Sequence, residues 1–147
     1  MAALNHPPHV TLAVYDSIPE DRLSEALRSV FGVHPPVRLR FTKLAFFEMP
    51  ELVFWAAPDK SEPLLRAHSA IHELIDPRLC RSHYQPGIWV PHCTLATQVS
   101  TDCKERAIAL AAEAIEPFEV LFDTAECVAF YPIRTIEECS LSMEGSL

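Results

Sequence analysis

The sequence predicts an α+β fold of two similar β-α-β-β lobes, with antiparallel-rich sheets, helices on the outside and a central cleft about a pseudo-twofold axis. Three observations carry this expectation. Runs with strand character and runs with helical spacing follow one another in the order β-α-β-β twice. The same phrase opens each copy, Pro8-His9-Val10-Thr11-Leu12-Ala13 and Pro91-His92-Cys93-Thr94-Leu95-Ala96, 83 residues apart. At 147 residues, 49% of them hydrophobic, the chain has the length and apolar content of one compact domain. A single domain spanning 1–147 is expected, with lobes of about 1–76 and 77–147.

His9 to Tyr15 is rich in β-branched and aromatic residues and bounded by prolines, which predicts a strand. Pro19 to Phe31 places Glu20 and Asp21 early and Leu23, Leu27, Val30 and Phe31 at helical spacing, with Gly32 as a stop. Val37 to Phe47 and Leu52 to Ala57 read as a hairpin joined through Glu48, Met49, Pro50 and Glu51. Ser61 to Ile75 is a second helix, closed by Asp76 and Pro77. A loop through Gly87 leads to a strand at Trp89 to Val99, then a helix from Thr101 to Ile115. Strands near Phe118 to Phe122, Cys127 to Tyr131 and Ile136 to Ser142 complete the second copy.

Composition removes several functions. Glycine occurs only at positions 32, 87 and 145, so no dinucleotide-binding turn and no Walker loop can be written. A net charge of -8 disfavours broad binding to nucleic acid, which draws its affinity from Lys and Arg neutralising phosphates. The acidity is uneven, -1 over residues 1–82 and -7 over 83–147, so cationic phosphate contacts are expected mainly from the first half. Five cysteines, Cys80, Cys93, Cys103, Cys127 and Cys139, form no Cys-x-x-Cys pair and suit reduced thiols. Neither a leader-like N-terminus nor an apolar run of membrane-spanning length is present, and a cytoplasmic protein without membrane attachment, acting as a monomer, is expected.

The repeated phrase carries the chemistry. With 7 His and 7 Thr in the chain, a His-x-Thr triplet is expected about 0.3 times by chance, and the full hexapeptide repeat far more rarely. On a strand, residues i and i+2 share a face, so His9 aligns with Thr11 and His92 with Thr94, about 7 Å apart along the backbone. Val10, Leu12, Val14, Cys93 and Leu95 then face the core. If the lobes meet about a twofold, both His-Thr pairs enter one cleft. Two imidazoles can act as proton acceptor and donor near neutral pH, and threonine hydroxyls can hold the non-bridging oxygens of a phosphate.

Two His-x-Thr motifs about 80 residues apart, each opening a β-α-β-β lobe, resemble the two-histidine (2H) phosphoesterase superfamily, whose best-known branch is the 2′-5′ RNA ligase-like proteins, also called RNA 2′,3′-cyclic phosphodiesterases. The resemblance implies that His9 and His92 are the catalytic acid and base and that Thr11 and Thr94 bind phosphate. It implies a bilobal fold, no metal and no other cofactor, and substrates with a 2′,3′-cyclic or 2′-5′ phosphodiester. Many ligase-like members continue the second motif with arginine, and here that place is Thr97. With the acidic second half, this favours a nucleotide or short RNA end over an extended nucleic-acid footprint. A non-catalytic module binding a nucleotide or RNA end, and a reversible 2′-5′ RNA ligase, are the alternatives.

Further substrate contacts are sought among Arg38, Arg40 and Lys43, the basic cluster of the first hairpin, and at Arg134. Arg38 and Arg40 share a strand face, with Lys43 on the other unless a bulge intervenes. Tyr15 is a candidate aromatic contact, although it would lie about 20 Å along an extended strand from His9. Trp89 is expected under a helix. His68 and His72 stand at i and i+4 on the second helix, but without a third ligand they read as helix surface rather than a metal site.

Overall fold

The computed structural model describes residues 6–48 and 51–143. Its elements are α1 (Glu20–Phe31), β1 (Val37–Glu48), β2 (Leu52–Pro58), α2 (Glu62–Leu74), β3 (Cys93–Ala96), α3 (Thr101–Ala111), β4 (Phe118–Phe122), β5 (Thr124–Ala129) and β6 (Arg134–Ser140). Two single 3₁₀ turns, Pro77–Leu79 and Ser82–Tyr84, occupy the loop after α2. One sheet has the order β3-β2-β1-β4, and β5 and β6 form a second. The pairs β1–β2, β2–β3 and β5–β6 are antiparallel, giving the α+β architecture expected from the sequence. Among the described residues, no helix is long and apolar enough to cross a membrane.

Contacts divide the chain into two compact units, each assembled from three stretches. The first comprises the chain up to Thr11, Leu39–Lys60 and Pro91–Glu119, and the second Leu12–Arg38, Ser61–Val90 and the chain from Val120. The repeat in the sequence therefore does not correspond to two contiguous compact halves. In the first unit β3, from the second copy, pairs with β2, from the first.

The second unit is built on α1. Leu27 and Phe31 of α1 are buried with Ala67 of α2 and with Cys139 and Leu141 at the end of β6, and Leu12, Val30, Ile71, Ala125 and Cys127 pack around them. Ion pairs Arg28–Glu137 and Arg134–Glu20 tie α1 to β6, each open to solvent and so only weakly stabilising. Gly32 follows α1 where a Cβ would stand 2.6 Å from the Arg28 carbonyl oxygen, which is why no larger residue closes this helix. Ser61 caps α2 by accepting a hydrogen bond from the Leu64 amide at 3.4 Å.

α2 carries the largest departure from the sequence reading. His68 and His72 are buried, at 5% and 7% exposure, not on the helix surface. Both Nε2 atoms lie against the Tyr84 carbonyl oxygen, at 2.8 and 3.0 Å. A carbonyl only accepts, so both Nε2 atoms donate and the pair clamps α2 to the 3₁₀ turn. The His68 ring lies flat on Trp89 at 4.1 Å between centroids, which accounts for the helix packing expected of that tryptophan.

The strand expected over His9 to Tyr15 is reduced to two isolated bridges, Val10 with Cys93 and Tyr15 with Cys80. The boundary between the units falls between Thr11 and Leu12. β3 is likewise shorter than the Trp89 to Val99 run, and α3 ends at Ala111. β5 begins at Thr124, three residues before the expected start. The expected turn through Met49 and Pro50 lies outside the described residues.

Candidate active site

The two histidine phrases lie side by side in the first unit. Val10 bridges Cys93 in antiparallel sense, so the residue between His9 and Thr11 meets the residue between His92 and Thr94. In an antiparallel pair, partners opposite each other point to the same face. His9 therefore lies opposite Thr94, Thr11 opposite His92, and all four side chains share the face away from Val10 and Cys93. Strand geometry sets neighbours on one strand about 7 Å apart, opposite partners about 5 Å apart and diagonal ones about 7–8 Å apart. The histidines occupy one diagonal of this rectangle and the threonines the other. Adjacent backbone segments within one unit bring the motifs together.

The register extends this face across the sheet. Thr94 pairs with Trp55 and Trp55 with Ala45, while Cys93 pairs with Ala56 on the buried side. Two rows follow: Ala45, Trp55, Thr94 and His9 in one, Lys43, Ala57, His92 and Thr11 in the other. Trp55 stacks on Phe47 at 4.8 Å, and the His92 ring meets both edge-on, at 5.3 Å from Phe47 and 5.7 Å from Trp55. These two aromatics wall the second histidine. The opposite face of the same strands is core: Leu39, Phe41, Leu52, Phe54, Ala56 and Cys93 are all buried, and Phe41 stacks on Phe118 at 5.2 Å.

Lys43 owes its place to a bulge. Phe41 pairs with Pro58 but Lys43 with Ala57, so two steps along β1 match one along β2 and the alternation inverts at Thr42. Buried residues fall on odd positions up to Phe41, whereas Lys43 is exposed. Two hydrogen bonds hold the bulge: the Thr42 hydroxyl donates to Asp59 Oδ1 at 2.7 Å, and the Asp59 amide donates to the Arg40 carbonyl at 2.7 Å. Lys43 thereby joins Arg40 on the side of the sheet that carries His92, which the sequence reading had allowed only if a bulge intervened.

Arg38 belongs to the second unit, as do Tyr15 and Arg134. Arg134 is paired with Glu20. The Tyr15 hydroxyl is buried, its ring 6.4 Å from His72, and burial pushes its pKa upward, so it is a neutral phenol in the interior of that unit. Leu95, read as a core residue, is 46% exposed, because the register shift between Phe54 and Trp55 leaves it without a partner on β2.

Protonation at the site is constrained by local contacts. The His9 Nδ1 lies 2.8 Å from the Pro7 carbonyl oxygen, so Nδ1 carries the proton in the neutral ring and Nε2 is the nitrogen left to exchange one. Burial pushes the Cys93 thiol up, partly offset by a hydrogen bond from the His9 backbone amide. This cysteine is thus a neutral thiol on the buried face and not a nucleophile. The face presents imidazoles, hydroxyls and a lysine. Among the described residues no group of three or more His, Cys, Asp or Glu is arranged to hold a metal ion.

Sequence reasoning did not single out His6, and it read Phe47 and Trp55 as aromatics better explained as core than as contacts. His6 lies against His9 with ring centroids 4.7 Å apart, and Phe47 and Trp55 flank His92. For His6 the signal was present in the run His6-Pro7-Pro8-His9, whereas the aromatic wall depends on a strand pairing that no local pattern encodes.

The chain is similar to known proteins in sequence and in fold. The chain is 32% identical over 95 residues to “Putative phosphoesterase ABC1741” of Shouchella clausii (strain KSM-K16), a match covering 63% of this chain and 53% of the relative. The chain thus spans about half the length of the curated relative it matches. Its fold is similar to the crystal structure of TT0787 of Thermus thermophilus, with a TM-score of 0.54 at 20% identity, covering 93% of this chain and 79% of the other. The family model for the 2′-5′ RNA ligase superfamily matches residues 2–130, a span that contains both histidine phrases and the four-stranded sheet. The chain belongs to the 2′-5′ RNA ligase superfamily, among the 2H phosphoesterases.

Proposed function

We propose that the chain is a metal-independent phosphodiesterase acting on the 2′,3′-cyclic or 2′-5′ phosphodiester of a nucleotide or short RNA end. The observation that carries the proposal is the Val10–Cys93 bridge, whose register sets two imidazoles on one diagonal and two hydroxyls on the other. A phosphate over the centre has a nitrogen on each side of phosphorus and a hydroxyl toward each remaining flank. That is the layout an in-line displacement requires.

In hydrolysis one histidine takes a proton from water as the water oxygen bonds to phosphorus. The bond from phosphorus to the 2′ or 3′ oxygen breaks, and the other, protonated histidine gives its proton to that oxygen. Thr11 and Thr94 donate hydrogen bonds to the non-bridging oxygens, and Lys43, across the small Ala57 from His92, offsets their charge. Thr97 is exposed at the end of β3, and Lys43 takes the part that an arginine at that place would play. The net charge of -8 is compatible with this small, mostly neutral site and disfavours a long RNA footprint. Five free cysteines suit a reducing cytoplasm.

The test is incubation with 2′,3′-cyclic mononucleotides and with 2′-5′ and 3′-5′ dinucleotides in EDTA, with products followed by chromatography and phosphorus NMR. Opening of the cyclic or 2′-5′ bonds, with the 3′-5′ bond spared, is expected. Saturable binding of every compound without product would make this a binding module. Joined ends would make it a ligase, and activity restored only by added divalent metal would overturn metal independence.

A further inference from the structure

We propose that His6 is a positioning residue that holds the His9 imidazole in its working orientation and tautomer. The inference rests on the reading of His9 as a proton-transfer group. His6 and His9 are separated by two prolines, each fixing its own φ and restricting the residue before it to extended backbone. Such a segment repeats every three residues, so positions i and i+3 emerge on one side. The rings accordingly meet, with centroids 4.7 Å apart and planes inclined at 62°, an edge-to-face contact. Pro7, inside the same segment, supplies the carbonyl that receives the His9 Nδ1 proton at 2.8 Å.

The two contacts act on different freedoms of one side chain. The Pro7 carbonyl selects the tautomer with Nε2 unprotonated, and the His6 ring blocks rotation that would carry Nδ1 away from that carbonyl. Both residues are half-buried but the Nδ1 contact is open to solvent, so without the His6 ring water competes for Nδ1. A ring at position 6, rather than a charge, is what this role requires.

The experiment compares His6→Ala and His6→Phe with the wild-type chain. Imidazole nitrogen NMR reads the His9 tautomer, and steady-state kinetics on a 2′,3′-cyclic nucleotide reads kcat and KM separately. His6→Ala is expected to mix the two neutral tautomers of His9 and to lower kcat about tenfold or more, toward the ~10²-fold cost of misplacing a reacting group by about 1 Å. KM should stay within about twofold, since the phosphate contacts are untouched. His6→Phe, which keeps the ring and removes its nitrogens, should restore both readouts. An unchanged His9 tautomer in His6→Ala, or no rescue by His6→Phe, overturns the proposal. A tautomer that shifts as expected while His9→Ala retains full activity leaves the positioning intact and refutes the catalytic reading instead.

Discussion

Replacing Lys43 by methionine removes one charge and leaves the stem of the side chain. Lys43 and His92 stand in one row with Ala57 between them, two strand spacings or about 10 Å apart at the backbone. The intervening side chain is a single methyl group, so a lysine stem can pass over it toward an anion held at His92. A hydrogen bond from a charged donor contributes about 1.5–3 kcal/mol, and Lys43 is exposed, which puts its effect at the lower end. Lys43→Met should therefore lower kcat/KM about tenfold on a cyclic mononucleotide, measured at low ionic strength. Lys43→Arg should keep most of the activity, and added salt should weaken the wild type more than the methionine variant. Ala57→Leu places a branched side chain in the path and should produce a similar loss with Lys43 intact. Because Ala57 is 5% exposed, that variant also costs about 1–3 kcal/mol of stability by overpacking, which a denaturation curve measures separately. Lys43→Met with kcat/KM and salt dependence equal to wild type would refute the reasoning and return Lys43 to ordinary solvated surface.

Thr94→Val keeps the β-branched shape that suits β3 and deletes the hydroxyl; kcat should fall by about 10²-fold with the melting temperature nearly unchanged, and Thr94→Ser should recover most of it. Thermal stability should fall as pH is lowered from 7.5 to 5. Burial lowers the pKa of His68, against the hydrogen bond to Tyr84 and helped by the neighbouring His72, and lowers that of His72 against the same bond. The unfolded chain, titrating near pH ~6.5, then binds protons that the folded chain refuses, so this stability is fully present above that pH and is lost below it. Protonated His72 would also bury a new Nδ1 donor where no partner stands. Melting temperatures across this range should decline less steeply in His72→Gln than in wild type, and equal slopes would count against the clamp.

The parts legible in the sequence were those with local causes. The helices follow from apolar spacing and stop signals such as Gly32, and the four motif residues follow from a repeated phrase read at a period of two. What stayed hidden depends on pairing between distant segments. The bulge at Thr42 exists because β1 must register with β2 and with Asp59, and it alone decides which face Lys43 occupies. Leu95 alternates as a core residue in sequence, yet the β2–β3 register shift exposes it. His68 and His72 show helical surface spacing with no local sign that Tyr84 and Trp89 will cover them. The first motif is a strand by composition, but among the described residues it forms isolated bridges at Val10 and Tyr15, one in each compact unit, and not a continuous ladder. The phrase could be recognised without predicting that its two copies would lie against each other through Val10 and Cys93.

The central claim is that His9 and His92 carry the proton transfers of one phosphoryl displacement. Single-turnover cleavage of a 2′,3′-cyclic nucleotide in EDTA, by wild-type chain, His9→Ala, His92→Ala and the double variant, tests it most directly. Groups that act in one step are not additive, so each single variant should lose nearly as much rate as the double variant while nucleotide monophosphate binding persists. Full cleavage by either single variant, or losses that simply multiply in the double variant, would contradict the account.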